Sequence, residues 1–239
     1  MRKHILFKDE EISREIERRI RDDRMGVGDK LPSERQLAEE FEVQRDTVRC
    51  ALDILLKRGL IIKKPRQGYY VAPKKIEINV NNFRSVKKDI ENLGRNSKSI
   101  MLNYEMISMS KKLSEITQLP EGTLCYQVLR IRYDGEKPIS VERSNIVAEY
   151  VPGLSREDLE QRGLASTLRH EYGITLVSAR QRITQVYGDD MEAELLRISK
   201  NEPLIRYEGL LYDKKDRLIE YFNNVVLTDI IEFHIRDFA

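Results

Sequence analysis

Three arginines, Arg35, Arg45 and Arg49, fall within or beside a stretch from Ser33 to Leu52 whose apolar residues recur at helical spacing. Guanidinium groups carried outward on a short helix match the O6 and N7 acceptors of guanine in a duplex major groove, and the phosphates beside them. A second set lies in the other half of the chain. Arg130 and Arg132 alternate, so on a strand both forks point to one face, where they suit a phosphate or a carboxylate. Glu142 and Glu220 are acceptors for sugar hydroxyls or amines, and equally for the arginines themselves as plain salt bridges.

The elements that must carry the first set are legible locally. Ser33 follows Pro32 and precedes Gln36 by three residues, the pattern of a capping box, so a helix starts there. Leu37, Ala38 and Phe41 form its apolar stripe, Glu42 and Val43 the turn, and Val48, Ala51, Leu52 and Leu55 a second helix that stops at Gly59. Upstream, Ile12, Ile16 and Ile20 predict a helix of about four turns. Downstream, Leu60 to Val71 places two apolar runs around a Pro and Gly turn, a hairpin signal. Three helices and a hairpin make a winged helix-turn-helix. Residues 43 to 68 hold seven basic side chains, among them Lys63, Lys64 and Arg66, against Asp46 and Asp53 alone. That local excess is what counterion release on a duplex requires, although the whole chain carries only +2.

The second set needs a sheet. After a polar linker over 73–82, a helix from Phe83 to Leu93 ends at Gly94, and strands are expected over 124–132, 139–146, 177–186, 204–212 and 218–227. Short helices fit over 110–117, 155–161, 166–172 and 189–198, which puts Ser166 at a helix N-terminus beside backbone donors. Gly122 to Asp134 and Asn201 to Asp213 align at a spacing of 79, each leading through a Tyr-Asp turn into a strand holding Glu142 or Glu220. The fold class is α+β with a mainly antiparallel sheet, and the expected domains are 1–72 and 83–239.

Several classes are excluded. Cys50 and Cys125 have neither paired nor metal-ligand spacing, and His4, His170 and His234 assemble no ligand set or triad, so no metal or cofactor is expected. His170 is expected on the surface of a short helix. The chain has no apolar run of about 18 residues and no secretory leader, so no membrane partner and a cytoplasmic location are expected.

Residues 28–41, Gly-Asp-Lys-Leu-Pro-Ser-Glu-Arg-Gln-Leu-Ala-Glu-Glu-Phe, with Arg45, Thr47, Val48, Arg49, Ala51 and Leu52, resemble the DNA-binding domain of the GntR family of bacterial transcriptional regulators. The resemblance implies that Ser33, Arg35, Arg45, Thr47, Arg49, Lys63, Arg66, Gln67 and Gly68 face DNA, with Gly68 at the wing tip. Two positions depart from the family pattern: Gln44 stands where Ser is usual before the recognition helix, and Tyr69 replaces a wing glycine. The C-terminal part, through Arg130-Ile-Arg132, Asp134-Gly135, Pro138-Ile139, Glu142, Ser166, Tyr172-Gly173, Tyr212-Asp213 and Ile219-Glu220-Tyr221, resembles the UTRA effector-binding domain of the HutC subfamily, which has a chorismate lyase-like fold. That likeness implies an effector site of Arg130, Arg132, Glu142, Ser166, Thr167, Tyr207 and Glu220. Leu168, Ile230 and Ile231 are apolar where relatives carry polar groups. The expected protein is a homodimeric repressor on a palindromic double-stranded operator, controlled by a small anionic effector such as a phosphosugar. A constitutive dimeric regulator and a lyase-like enzyme are the alternatives.

Overall fold

Residues at three- and four-residue spacing fold the first part of the chain into helices α1 (Lys8–Arg21), α2 (Glu34–Glu40) and α3 (Arg45–Lys57). The computed structural model describes residues 8–22, 24–80 and 86–234, and the chain divides into two units, Met1–Lys75 and Ile76–Ala239. His4 and Phe83 lie outside the described residues. In the first unit Ile16, Leu37, Val48, Leu52 and Leu55 are fully buried against one another. Truncating Ile16, Leu37, Leu52 or Leu55 to alanine removes about 2–5 kcal/mol. Gly59, at φ +68°, takes the left-handed position that ends α3.

A hairpin follows, β1 (Ile61–Lys64) and β2 (Gly68–Val71). The segment before α2 pairs with the other edge of β2, through Leu31 N–H to Tyr69 O and Val71 N–H to Asp29 O, both 2.9 Å. The wing corrects one expectation. Tyr69 is an ordinary strand residue with a buried ring, whereas the left-handed conformations belong to Arg66 (φ +60°) and Gly68 (φ +100°). Arg66 is thus the wing residue standing in a glycine-like conformation.

The second unit is built on a six-stranded antiparallel sheet in the order β4 (Ser97–Ser108), β5 (Leu124–Asp134), β6 (Lys137–Val147), β9 (Leu218–Leu227), β8 (Pro203–Asp213), β7 (Leu176–Tyr187). Helices α5 (Lys111–Thr117) and α8 (Asp190–Leu196) lie on one face, over Cys125 and Val147 and over Val141, Leu204 and Val225. The opposite face is covered at one end by α6 (Arg156–Arg162) and α7 (Leu164–Tyr172), whose Leu159, Leu164 and Leu168 pack on Tyr126, Val128 and Ile146. At its other end, α4 (Val86–Asn92) and a parallel pair, β3 (Ile76–Asn79) with β10 (Ile231–His234), cover Val226.

The internal repeat is longer than its sequence trace. Strand β4, helix α5 and strand β5 recur 79 residues later as β7, α8 and β8, and β6 pairs with β9 at the seam, Arg143 opposite Asn223. Strand β4 was not expected: it is an edge strand with a bulge between Met101 and Asn103, and most of its residues are exposed, so no alternation survives. The expected linker over 73–82 is corrected as well. Its residues 76–79 form β3, because Ile76 and Ile78 bury their side chains beside Ile90 and Ile231. Among the described residues no helix is long and apolar enough to cross a membrane.

Candidate functional sites

The first site is built on the capping box at α2. Ser33 Oγ accepts from Gln36 N–H (3.3 Å) and Gln36 Oε1 accepts from Ser33 N–H (2.9 Å), which fixes Glu34 as the first helical residue. Glu34 then lies under the recognition helix. Arg49 donates from Nη2 to Glu34 Oε2 at 3.3 Å, Arg45 Nη2 lies 3.6 Å from the same oxygen, and the Tyr69 hydroxyl donates to Glu34 Oε1 at 3.3 Å. The carboxylate is only 18% exposed, against 62% for Arg45 and 52% for Arg49. Burial alone pushes the Glu34 carboxyl up, but the Arg49 bond and charge, Tyr69 and Arg45 outweigh it and keep Glu34 ionised below the ordinary range.

The other expected DNA-facing residues distribute around this cluster. Arg35 extends from α2, exposed, 3.7 Å from Glu39, and Thr47 is half-buried in the first turn of α3. Gln44 caps α3 with extended backbone and makes no side-chain capping bond. Lys63, Arg66 and Gln67 are exposed on the hairpin, and Lys63 Nζ sits 5.3 Å over the Tyr69 ring.

The second site lies on the sheet face between the two covers. Register places Arg130 opposite Glu142, Arg132 opposite Ser140, and Glu220 opposite Ile146, so all these polar residues and Ser144 share one face. Arg132 grips Glu142 with two bonds, Nε to Oε1 at 2.6 Å and Nη2 to Oε2 at 2.9 Å. Arg130 Nη2 reaches Glu142 Oε2 at 3.2 Å, and Ser140 Oγ donates to Oε1 at 3.2 Å. Both forks therefore meet the same carboxylate. Arg130 Nε, however, is buried with no acceptor among the described residues, a donor whose desolvation is uncompensated there.

The two glutamates are driven apart. Burial would raise Glu142, but the charges of Arg132 and Arg130 and the bonds from Arg132 and Ser140 bring it down to about 2. Glu220 accepts from the Ser144 hydroxyl at 2.5 Å, and burial raises its pKa, with the nearby Glu142 charge adding and the Ser144 bond and Arg130 opposing. Tyr207 faces the same side of the sheet, its ring 4.8 Å from Phe222 and 5.1 Å from Phe233, its phenol pushed up by burial and by Glu220.

The start of one helix differs from expectation, and with it the setting of two expected residues. Helix α7 starts at Leu164 with Gly163 as its cap, because Gly163 (φ +76°) both ends α6 and opens α7; Ser166 is the third residue of the helix, half-buried. Thr167 is fully buried and donates to Gly163 O (2.9 Å) and Asp158 O (3.2 Å), so its hydroxyl is spent within the helix pair. Leu168 is core. Sequence reasoning missed Glu34, Ser140 and Ser144. The two serines alternate with Glu142 along β6, a period-two signal that was there to read.

Comparison with known proteins accounts for both halves. The family model for "Bacterial regulatory proteins, gntR family" matches residues 8–71, and that for the "UTRA domain" matches residues 92–232. The chain is 26% identical over 203 residues to the HTH-type transcriptional repressor NagR of Bacillus subtilis, across 85% of this chain and 83% of that protein. It is 25% identical over 224 residues to the mannosyl-D-glycerate transport/metabolism system repressor MngR of Escherichia coli, across 92% and 93%. The crystal structure of PhnF from Mycobacterium smegmatis superposes with a TM-score of 0.72 at 26% identity, covering 95% of this chain and 99% of that one.

Proposed function

The chain belongs to the GntR family of DNA-binding transcriptional regulators and carries a UTRA domain, and from that premise we propose that it is a homodimeric repressor whose operator binding is controlled by a small anionic effector. One recognition helix per chain contacts half a site, so two chains cover a palindrome with half-sites about 34 Å apart. The repressor assignment draws on NagR, MngR and PhnF, all named repressors. The family's regulators supply no enzyme among these relatives, which sets the lyase-like alternative aside.

The observation that carries the effector reading is the buried Arg130 Nε with no acceptor among the described residues, in a strip where Arg130 Nη2 and the Arg132 fork are taken by Glu142. An anion placed against Arg130 supplies the missing acceptor. Glu220, Ser166 and Tyr207 are then the polar groups for the remainder of the ligand, Arg132 holds Glu142, and Thr167 keeps a structural task. MngR regulates a system for a sugar acid, in keeping with an anionic ligand. Such a ligand acts only through its difference in affinity for the DNA-competent and DNA-incompetent states.

The test is a thermal-shift series with sugar phosphates, sugar acids and inorganic phosphate, followed by titration of any stabilising compound against a preformed complex with DNA. Arg130→Ala is expected to weaken that compound by about 10- to 100-fold, the worth of a charge-assisted bond, while operator binding persists. A variant that still responds to the compound at wild-type concentrations would remove Arg130 from the site.

A further inference from the structure

On the DNA-binding reading proposed above, Glu34 is an acidic side chain among the groups that would meet DNA, and electrostatics alone would not put it there. A carboxylate beside duplex phosphates repels them and offsets the counterion release that Arg45 and Arg49 provide. Yet Glu34 is held from three directions. The capping box fixes its backbone at the start of α2, the Tyr69 hydroxyl fixes Oε1, and Arg49 and Arg45 converge on Oε2. Tyr69 is itself immobilised, because its ring is buried and β2 is hydrogen-bonded on both edges.

We propose that Glu34, steadied by Tyr69 of the wing, is a positioning residue that holds Arg45 and Arg49 in one preformed arrangement and thereby exchanges non-specific phosphate affinity for sequence discrimination. A free arginine on a surface helix samples many rotamers and reaches any phosphate within range. Two guanidinium groups tied to one carboxylate have lost most of that freedom before DNA arrives, so less is lost when they meet base edges in the right order. The same tie penalises a wrong sequence, which must break the ion pairs without replacing them by base contacts. Coupling through Tyr69 also links the wing to the recognition helix, so the two elements dock as one rigid surface.

The experiment uses the full chain. A preferred duplex is selected from a random pool by the wild-type protein, and binding to it and to a scrambled duplex is measured at one fixed salt concentration for the wild type, Glu34→Gln and Tyr69→Phe. Glu34→Gln should bind the scrambled duplex several-fold more tightly, since a repelling charge is gone, and the selected one more weakly, so that their ratio falls by about tenfold or more. Tyr69→Phe changes no charge and should lower the ratio by about threefold with the scrambled affinity unaltered. A purely structural role for Glu34 moves both affinities down together, alongside a lower melting temperature. That pattern, or a ratio within twofold of wild type in both variants, overturns the proposal.

Discussion

Each half of the molecule contains two arginines that share one glutamate, and the two clusters differ chiefly in how much water reaches them. Arg45 and Arg49 are more than half exposed and sit 3.6 and 3.3 Å from Glu34; Arg132 and Glu142 are 8% and 7% exposed and joined by bonds of 2.6 and 2.9 Å. Exposed pairs contribute about 0–1 kcal/mol to folding, so Glu34 can orient Arg45 and Arg49 while adding little to stability. In the buried strip the attraction is balanced against desolvation, and removing one member leaves uncompensated charge. The outer cluster orients side chains that still reach solvent, whereas the inner one holds its carboxylate tightly and leaves Arg130 Nε with no acceptor among the described residues.

The largest break in this comparison is Glu142→Ala. It strands two buried guanidinium groups and is expected to cost about 3–5 kcal/mol in denaturant unfolding of the second unit. A loss below about 1 kcal/mol would mean that water already enters the strip, making the two clusters alike. Acid titration sharpens the same point. Glu142 falls from an ordinary 4.5 to about 2 on folding, so its contribution is present above pH 4.5 and disappears as pH drops toward 2, about 3 kcal/mol in all. Glu220 has the opposite sign: raised on folding, it stabilises below its ordinary value, and that stabilisation is lost as pH rises through its folded value. Glu142→Gln should flatten the acid side of the stability profile and Glu220→Gln the side above pH 4.5. Unchanged slopes in either variant would contradict the corresponding assignment.

What could be read in advance follows the range of the interactions. Ser33 with Gln36, the apolar stripe of α3 and the stop at Gly59 are contacts within one turn, and the structure has each where it was expected. Arg130 and Glu142 were candidates through the resemblance to the UTRA domain, and a hairpin brings them together across 12 residues. Glu34 was missed because its meaning depends on Tyr69, 35 residues away on the wing. Ser166 lies two residues further into its helix than expected, because a glycine shared between two helices sets the helix start. Edge strand β4 carried no pattern, since neither of its faces is continuously buried.

Next in size is the reading head itself. Arg45→Ala and Arg49→Ala should each weaken the selected duplex by about 1–3 kcal/mol, the range of a bidentate base contact, with unfolding midpoints unchanged because both side chains project into solvent. The salt dependence separates the two ways of binding. A variant whose affinity falls equally for all sequences, with a shallower salt slope, has lost a phosphate contact; one that loses discrimination at a single base pair has lost a base contact.

The smallest expected effect discriminates best between the two clusters. Glu34→Gln keeps the side-chain volume and the Tyr69 hydrogen-bond acceptor, and removes only a charge paired to two exposed arginines. Its cost to folding should stay below about 1 kcal/mol. The matched change Glu142→Gln removes the same charge from two buried arginines and should cost several times more, about 3 kcal/mol at pH 7, because the guanidinium groups there have no water to turn to. Chemical denaturation of both variants under identical conditions measures the ratio directly. Equal costs would show that burial does not govern these clusters, and that the exposed trio is as tightly bound to its carboxylate as the buried one.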